Sequence, residues 1–264
     1  MSDDAARWRI KPGAKVRLDR LDPKDTGGAP GDKDATEAAL PEQRERIAEL
    51  QERLYAEDRR ALLVVLQGLD ASGKDGTVKH VFSGVNPMGL QVRSFKAPSD
   101  EELAHDFLWR VHAHVPAHGQ IGLFNRSHYE DVLVARVEEL VPEEIWRERY
   151  ELINAFEAIL THGGTRVVKL FLHISPEEQQ ERFDERRERP DKRWKYREED
   201  LQVSAKWDEY AAAYEDVLRL TSTEHAPWYV LPADRKWMRN WAATGIVIEE
   251  LEAMDPQYPS EVRR

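Results

Sequence analysis

The chain alternates between short apolar runs and longer amphipathic stretches. Residues 61–66 (ALLVVL) are continuously apolar and bounded by turn signals, a pattern typical of a strand buried on both faces. Similar runs return at 120–124, 166–173 and 228–231, with a weaker one at 90–95. Helical stretches separate these runs. Strands alternating with helices predict a parallel sheet that is covered on both faces.

The helices are predicted from apolar spacing and from capping signals. A helix is expected over 41–60, where Ile47, Leu50 and Leu54 recur at spacings of three and four. Ser99 with Glu102 has capping-box spacing and predicts a helix through about residue 115. Further helices are predicted at 143–160, 176–189, 198–220 and 235–254.

The first forty residues differ from the rest of the chain. They are polar and rich in Gly, Pro and Asp, with a loop expected at 27–31 (GGAPG). We therefore predict an N-terminal arm over 1–40 that packs weakly, followed by one domain over 41–264. A hydrophobic content of 41% over 264 residues supports a sizeable core.

Composition excludes several classes of function. The chain has no cysteine, which excludes disulfides, thiolate metal sites and a cysteine nucleophile. A net charge of −11 argues against a nucleic-acid binder, so a polyanionic ligand would need a local basic patch. No apolar stretch is long enough to span a membrane, and the N-terminus (MSDD) lacks the layout of a signal peptide. We expect a cytoplasmic protein without a membrane partner.

A glycine-rich motif follows the first predicted strand. Residues 68–77 (GLDASGKDGT) contain G-x-x-x-x-G-K at the start of a predicted helix, the context of a phosphate-binding P-loop. Backbone N–H groups, the helix N-terminus and Lys74 would together bind phosphate. A glycine-rich turn that only reverses the chain is the alternative. The predicted phosphate contacts are Gly68, Ala71, Ser72, Gly73, Lys74, Asp75 and Gly76.

The loop departs from the common form because Asp75 stands where Ser or Thr would offer a hydroxyl to Mg²⁺. Another residue would then have to hold the metal ion. Asp70, inside the loop, has the hard carboxylate oxygens that Mg²⁺ prefers. We predict Asp70 as a metal ligand, and a carboxylate that only caps the loop backbone is the alternative.

A polar cluster, residues 125–132 (NRSHYEDV), follows the strand predicted at 120–124. Ligands of α/β sheets bind at the carboxyl ends of parallel strands, so this cluster is a candidate for the same site as the P-loop. Taken alone, its acidic residues could equally be an exposed helix start that favours the helix dipole.

The two motifs resemble those of the polyphosphate kinase type 2 family. Residues 68–74 match the first motif of the family, G-x-D-x-x-G-K, and residues 125–131 match the second, N-R-S-x-Y-E-D. The likeness extends over nearly the whole chain, from about 8 to 259. The tripeptide Tyr-Glu-Asp at 129–131 resembles the subgroup that acts on both AMP and ADP. The resemblance implies an α/β fold, a P-loop kinase-like three-layer αβα sandwich with a parallel sheet and a helical lid.

The resemblance also implies roles for individual residues. Lys74 and Arg126 would contact phosphate, and Asp70 and Glu130 would associate with Mg²⁺. Asn125 is predicted to contact the ligand. Some relatives have Asp at this position, and the carboxylate of Glu130 or Asp131 would replace the one that Asn125 lacks. Arg136 would contact a nucleotide phosphate or, alternatively, form a surface ion pair.

The basic run at 182–197 resembles the lid of this family, which we place at about 182–200. Pro190 is expected to interrupt the helix after Arg189. Mobile cations suit phosphoryl transfer because they stabilise charge on phosphate oxygens, although such a run could also be a solvated helix face. The lid residues predicted to contact phosphate are Arg186, Arg189, Lys192 and Lys195. The residues predicted to be catalytic are Asp70, Lys74, Arg126, Glu130 and Arg186.

Together with the P-loop, the resemblance implies a Mg²⁺-dependent kinase that transfers a phosphoryl group reversibly from inorganic polyphosphate to AMP or ADP. It also implies adenine or other purine nucleotides as partners and a homo-oligomeric assembly. An ATP-dependent nucleoside monophosphate kinase and a non-catalytic polyphosphate- or nucleotide-binding protein are the alternatives. Three aromatic residues at helical spacing, Trp207, Tyr210 and Tyr214, are interpreted as core and not as a base-stacking surface.

Overall fold

Five strands form one parallel sheet at the centre of the protein, and the edge strand β2 is only partly buried. The computed structural model describes residues 6–195 and 205–260. The strands are β1 (Ala61–Gln67), β2 (Leu90–Ser94), β3 (Ile121–Asn125), β4 (Thr165–His173) and β5 (Trp228–Pro232), in the spatial order β2-β3-β1-β4-β5. β1 is central and pairs in parallel with β3 and β4, with Val64 opposite Leu123 and Val168. Each residue of β1 is buried, as its uninterrupted apolar run predicts.

Helices cover both faces of the sheet. The helices are α1 (Lys33–Glu57), α2 (Lys74–Val81), α3 (Asp100–Leu103), α4 (Trp109–His112), α5 (Glu130–Val137), α6 (Glu143–His162), α7 (Pro176–Glu188), α8 (Trp207–Thr221) and α9 (Lys236–Met254). α1, α2 and α9 pack on one face, whereas α5, α6 and α8 pack on the other. The predicted three-layer αβα sandwich is therefore confirmed. No helix among the described residues is long and apolar enough to cross a membrane.

Two helix predictions were wrong in extent. α1 begins at Lys33 and not at residue 41, because Asp32 caps it by accepting a hydrogen bond from the N–H of Ala35 (3.0 Å). Pro41, taken as a helix start, lies inside this helix, whose apolar face buries Leu40 and Ile47.

The single helix predicted at 99–115 is instead two short helices, α3 and α4, although Ser99 does form the predicted capping box with Glu102. In the helix predicted at 198–220, α8 begins at Trp207, and residues 198–204 lie outside the described residues.

The prediction that the N-terminal arm packs weakly was also wrong. The N–H of Ile10 donates to the carbonyl of Trp228 (2.8 Å), and the N–H of Val230 donates to the carbonyl of Trp8 (2.9 Å), so the arm runs along β5. The indole of Trp8 is buried in the core. Burial of a large aromatic side chain holds this polar segment against the sheet.

The arm continues over the carboxyl edge of the sheet. A 3₁₀ turn at Leu18–Arg20 is held there because the N–H of Leu18 donates to the carboxylate of Glu215 (2.8 Å) on α8. His173 Nε2 hydrogen-bonds to the carbonyl of Leu21 (3.0 Å) at the end of β4. The arm is therefore part of the wall around the strand ends.

A buried ion pair lies beneath α5 and α6. Lys169 on β4 contacts the carboxylate of Glu157 on α6 (2.5 Å), the hydroxyl of Tyr129 (3.0 Å) and the carbonyl of Thr221 (2.7 Å). The side chains of Lys169 and Glu157 are fully buried. This network anchors the segment after β3, which carries the second sequence motif, to the sheet.

Candidate active site

The P-loop, residues 68–74, connects β1 to α2 and has a backbone that requires glycine. Gly73 has φ +102°, and a Cβ built there would lie 1.8 Å from Nη1 of Arg239. Gly68 has φ +151°, and its Cβ would lie 2.9 Å from the carbonyl oxygen of Leu172. The two glycines of the motif are therefore explained by positive φ and by close approach of neighbouring groups.

Lys74, the first residue of α2, folds back over its own loop. Its Nζ donates hydrogen bonds to the carbonyls of Gly68 (2.6 Å) and Leu69 (3.2 Å). Burial lowers the pKa of this amine to about 8, assisted by the charge of Arg126 and opposed by Asp70 and Glu130. A phosphate bound at the loop would raise this pKa again and favour the charged amine, so Lys74 is placed to interact with a bound anion.

Arg126 joins the two motifs. Its guanidinium donates to the carboxylate of Asp70 in the P-loop (2.5 Å) and to that of Glu130 at the start of α5 (3.5 Å). Arg126 has φ +61°, a conformation that directs its backbone N–H to the carbonyl of Leu66 (3.0 Å) on β1. The structure thus brings four predicted site residues together at the carboxyl ends of β1 and β3, because Lys74 also interacts with both carboxylates.

The two carboxylates differ in their electrostatics. Burial alone would raise the pKa of Asp70, but the charges of Lys74, Arg126 and Arg186 lower it below its usual value. Burial dominates at Glu130 and raises its pKa, although Arg126 and Lys74 oppose the shift. Asp70 is therefore ionised at neutral pH, and a cation near Glu130 would favour its charged form.

Three other predicted residues have clear positions. Asn125 donates from Nδ2 to the carboxylate of Asp75 (2.7 Å), so it ties the end of β3 to the first turn of α2. Asp131 faces the cations of Arg110 and Arg149 (3.6 Å each).

Arg136 pairs with Asp216 on α8 (2.8 Å) and lies over the ring of Trp146 (4.7 Å). The structure therefore matches the ion-pair alternative for Arg136, on the side of α5 that packs against α6 and α8.

Arg182, which sequence reasoning placed only in the basic run, supports the P-loop. It donates hydrogen bonds to the carbonyls of Ala71 (2.8 Å) and Ser72 (3.0 Å), and to the carbonyls of Ala233 (2.6 Å) and Asp234 (2.9 Å) after β5. Its Nε pairs with Glu178 (2.7 Å). Since a planar peptide directs its C=O and the next N–H oppositely, holding the carbonyl of Ser72 directs the N–H of Gly73 away from Arg182.

Arg239 on α9 contacts the P-loop but was not among the site residues predicted from the sequence. Its guanidinium is 3% exposed, lies against Gly73 and Gly76, and donates to the carbonyl of Ser72 (3.4 Å) and to Oδ1 of Asn240 (2.8 Å). Burial and the charge of Arg182 lower its pKa to about 9. Within the described residues no carboxylate lies within ion-pair distance of it. The only signal in the sequence was an arginine among apolar residues of a predicted helix.

In the described part of the predicted lid, Arg189 and Lys192 form local ion pairs. α7 ends at Glu188 with Arg189 as its C-cap, directly before Pro190, as predicted. Glu185 pairs with Arg189 (3.1 Å), Lys192 (2.7 Å) and Lys236 (3.8 Å). Arg186 lies nearer the P-loop, since its charge acts on Asp70. The remainder of the predicted lid, from residue 196, lies outside the described residues, and the side chain of Lys195 is not described.

A cavity of about 290 Å³ opens between the P-loop and α5. Tyr210 and Tyr214, interpreted from sequence as core, also form part of its wall, and the hydroxyl of Tyr214 accepts a hydrogen bond from the N–H of Gly68 (3.2 Å). The cavity combines hydrophobic walls with one guanidinium and acidic groups, and it is lined by Gly68, Leu69, Asp70, Arg126, Glu130, Leu133, Val134, Glu138, Tyr210 and Tyr214.

The fold and this site define a P-loop phosphotransferase. A glycine loop ahead of a helix, a buried lysine, and carboxylates beside an arginine at the strand ends are the groups that phosphoryl transfer uses for binding and charge neutralisation. Comparison with known proteins agrees with this class. The profile of the family polyphosphate kinase 2 (PPK2) matches residues 31–259.

Relatives match over nearly the full chain. An AMP/ADP-polyphosphate phosphotransferase from Meiothermus ruber is 51% identical over 96% of this chain and 95% of the relative. An ADP-polyphosphate phosphotransferase from Rhodopseudomonas palustris is 42% identical, covering 96% of this chain and 91% of the relative. The crystal structure of polyphosphate kinase 2 from Arthrobacter aurescens TC1 superposes with a TM-score of 0.95 at 41% identity, over 100% of this chain and 94% of that one.

The chain belongs to the polyphosphate kinase 2 family. The family resemblance, the fold class and the prediction of a polyphosphate:nucleotide phosphotransferase are confirmed. The roles of individual site residues stay predictions.

Proposed function

We propose that this protein transfers a terminal phosphoryl group from inorganic polyphosphate to both AMP and ADP, and that the reaction is reversible. The observation that carries the proposal is the convergence of Lys74, Asp70, Arg126 and Glu130 at the ends of β1 and β3. The name of the Meiothermus ruber relative supports both acceptors for a chain that shares half of its residues with it.

The metal ion in this proposal is Mg²⁺, held by Asp70 and Glu130. Mg²⁺ is commonly bound in phosphotransferases through one or two carboxylates together with substrate phosphates and water. Asp70 and Glu130 fit this requirement because both carboxylates reach the same guanidinium, that of Arg126. When bound, Mg²⁺ neutralises charge on the phosphate oxygens.

Catalysis in this proposal is positioning and charge neutralisation. The P-loop amides and Lys74 bind the donor phosphates, and Arg126 contacts the phosphate being transferred. Arg186 contributes a further positive charge from α7. Because the acceptor phosphate is already anionic, transfer proceeds directly in line, without a covalent intermediate and without a side-chain nucleophile.

The outer residues of the predicted site complete the proposal. Arg189 and Lys192 would break their ion pairs with Glu185 and contact polyphosphate, which presents repeated negative charge. Lys195 would act with them. Asn125 and Asp75 would position the loop against β3. Arg136 would contact a nucleotide phosphate only after leaving Asp216, so it is the weakest member of the set.

The identity of the phosphoryl donor is tested by incubating the purified protein with Mg²⁺, long-chain polyphosphate and either AMP or ADP. A mixture of ATP and AMP is the control, and the nucleotides are resolved by chromatography. ATP formed from ADP and ADP formed from AMP support the proposal. Product only in the ATP control would mean an ATP-dependent nucleoside monophosphate kinase. No product in any mixture would mean a binding protein.

The site assignment is tested by Asp70→Asn. We expect kcat to fall by at least about a hundredfold, because loss of an electrostatic group at the reacting centre commonly has that effect. Circular dichroism should be unchanged. Glu143→Gln is the matched control, since it removes an exposed carboxylate that pairs with Arg147 on α6. Full activity of Asp70→Asn would contradict the assignment.

We also propose that the enzyme is a cytoplasmic homo-oligomer. The assembly is supported by an apolar stripe on α6, where Ile145, Leu152 and Ile159 are 41%, 51% and 63% exposed and lie seven residues apart. Residues at this spacing lie on one side of a helix, and exposed stripes of this kind mark protein contacts. Light scattering of the parent and of Leu152→Glu would test it, with a smaller mass expected for the variant.

A further inference from the structure

A second charged surface lies away from the P-loop. The arm and α8 enclose a groove of about 810 Å³, which we call the arm groove. Its walls carry six cations against two carboxylates, Glu215 and Asp216. This is a concentration of positive charge in a chain with a net charge of −11. The cations are Arg9, Lys11, Lys15, Arg17, Arg20 and Arg219.

Both carboxylates of the arm groove are already engaged. Glu215 accepts the hydrogen bond from the N–H of Leu18 (2.8 Å). Asp216 pairs with Arg136 (2.8 Å) and with Arg219 (2.7 Å). Both carboxylates are therefore already paired with groups of the protein, and the cations of the groove outnumber them.

Half of these cations have no carboxylate partner in the part of the chain that the structure describes. Arg9 and Arg17 pair with Glu224 (2.8 Å) and Asp19 (2.6 Å). Lys11, Lys15 and Arg20 are exposed, and no ion pair joins any of them to another residue within 6–195 or 205–260. Three unpaired cations along one groove suit an extended polyanion with regularly repeated charge.

The arm groove is connected to the active site. Arg17, Leu21 and Glu215 line both the groove and a neighbouring cavity of about 550 Å³. That cavity extends to Leu69 of the P-loop and to Tyr214, both of which also line the cavity beside Asp70 and Arg126. The three cavities therefore adjoin one another through shared wall residues, in the direction that a chain bound at the P-loop would take to reach the arm.

We propose that the arm groove binds a segment of the polyphosphate donor remote from its reacting end, an inference that rests on the proposed function. Nucleic acid is the less suitable polyanion, because single strands are bound through aromatic side chains on which the bases stack. The apolar residues of the groove wall are aliphatic, among them Ile10, Val16 and Leu21. Polyphosphate needs only the cations.

The proposal makes the contribution of the groove depend on the length of the donor. Tripolyphosphate has three phosphates, which the P-loop site occupies, so none remains for the groove. A long chain can occupy both. Since an exposed ion pair changes affinity by roughly two- to threefold, three cations should together contribute about tenfold to long-chain binding.

The test uses the full-length triple variant Lys11→Ala/Lys15→Ala/Arg20→Ala, with ADP and Mg²⁺ and with long-chain polyphosphate or tripolyphosphate as donor. For the long chain we expect KM to rise about tenfold with kcat unchanged, and for tripolyphosphate we expect KM to change less than about twofold. The long-chain KM of the parent should also rise more steeply with salt than that of the variant.

The control is Lys33→Ala/Arg59→Ala/Arg147→Ala, which removes three exposed cations from other surfaces and should leave both KM values unchanged. An equal rise for both donors, an unchanged long-chain KM, or the same rise in the control would overturn the proposal.

Direct binding separates this inference from the proposed function. If the parent shows no turnover with either donor, the proposed function fails. Displacement of a labelled long-chain polyphosphate from the parent and the triple variant still decides the groove, and equal affinities would overturn it. Tighter binding of a single-stranded oligonucleotide than of long-chain polyphosphate, lost in the triple variant, would assign the groove to nucleic acid instead.

Discussion

Anion binding at the P-loop should recharge Lys74. In the unliganded protein its pKa is lowered to about 8 from an ordinary value of 10.5, chiefly by burial. At about 1.4 kcal/mol per pKa unit, this corresponds to about 3 kcal/mol against the charged amine. About half of the Lys74 side chains are then neutral at pH 8, and about 3% at pH 6.5. A bound phosphate restores the charge, so binding should take up a proton.

The measurement is calorimetric titration of metal-free protein with long-chain polyphosphate, in buffers of different ionisation enthalpy. We expect an uptake of about 0.5 proton per bound site at pH 8 and almost none at pH 6.5. Lys74→Arg is the control because a guanidinium stays protonated at both pH values. Equal uptake at the two pH values, or the same uptake in Lys74→Arg, would refute the reasoning.

The same pKa determines how stability depends on pH. The folded state holds fewer protons than the unfolded state between about pH 8 and 10.5, so Lys74 reduces stability below pH 8. This cost disappears as the pH rises towards 10.5, where the lysine of the unfolded chain also loses its proton. We therefore expect the residue proposed to bind phosphate to reduce the stability of the unliganded protein at neutral pH.

Two further substitutions test the fold around the site. Lys169→Met leaves Glu157 as a buried charge without its lysine partner and should cost about 3–5 kcal/mol in chemical unfolding, and adding Glu157→Gln should recover part of the loss. Gly73→Ala places a Cβ 1.8 Å from Arg239 at a residue with φ +102°. It should lower the melting temperature more than Gly84→Ala, because Gly84 also has a positive φ (+91°) but no neighbouring atom within 4 Å of the added Cβ. Equal losses in the two variants would show that the contact with Arg239 is unimportant.

The sequence was sufficient for those parts of the fold in which one local pattern decides the outcome. The run at 61–66 has no polar position and is bounded by turn signals, which favours a strand covered on both faces, and β1 occupies the centre of the sheet. The P-loop was predicted because its glycines, lysine and following helix are contiguous. The likeness of the second motif to the same family then placed Arg126 and Glu130 beside it.

The parts that were missed depend on contacts between distant segments. Trp8 holds the arm to the sheet through one buried indole in an otherwise polar stretch, which no periodic pattern indicates. Arg239 lies about 165 positions beyond the P-loop, and its role follows only from the packing of α9 against α2. Pro41 resembles a helix start in the sequence, whereas the capping residue Asp32, nine positions earlier, lies in a polar segment without an apolar period to mark it.

The position of Arg182 limits how a closing movement can occur. Its guanidinium joins α7 to the P-loop and to the residues after β5 through four hydrogen bonds. Swinging α7 as a rigid rod would break these bonds and disturb the loop that binds phosphate. In a closing movement of the predicted lid, Arg182 would therefore stay fixed and the bend would fall in the part of the helix beyond it. Closure of the predicted lid beyond this point would leave the contacts of Arg182 with the P-loop in place.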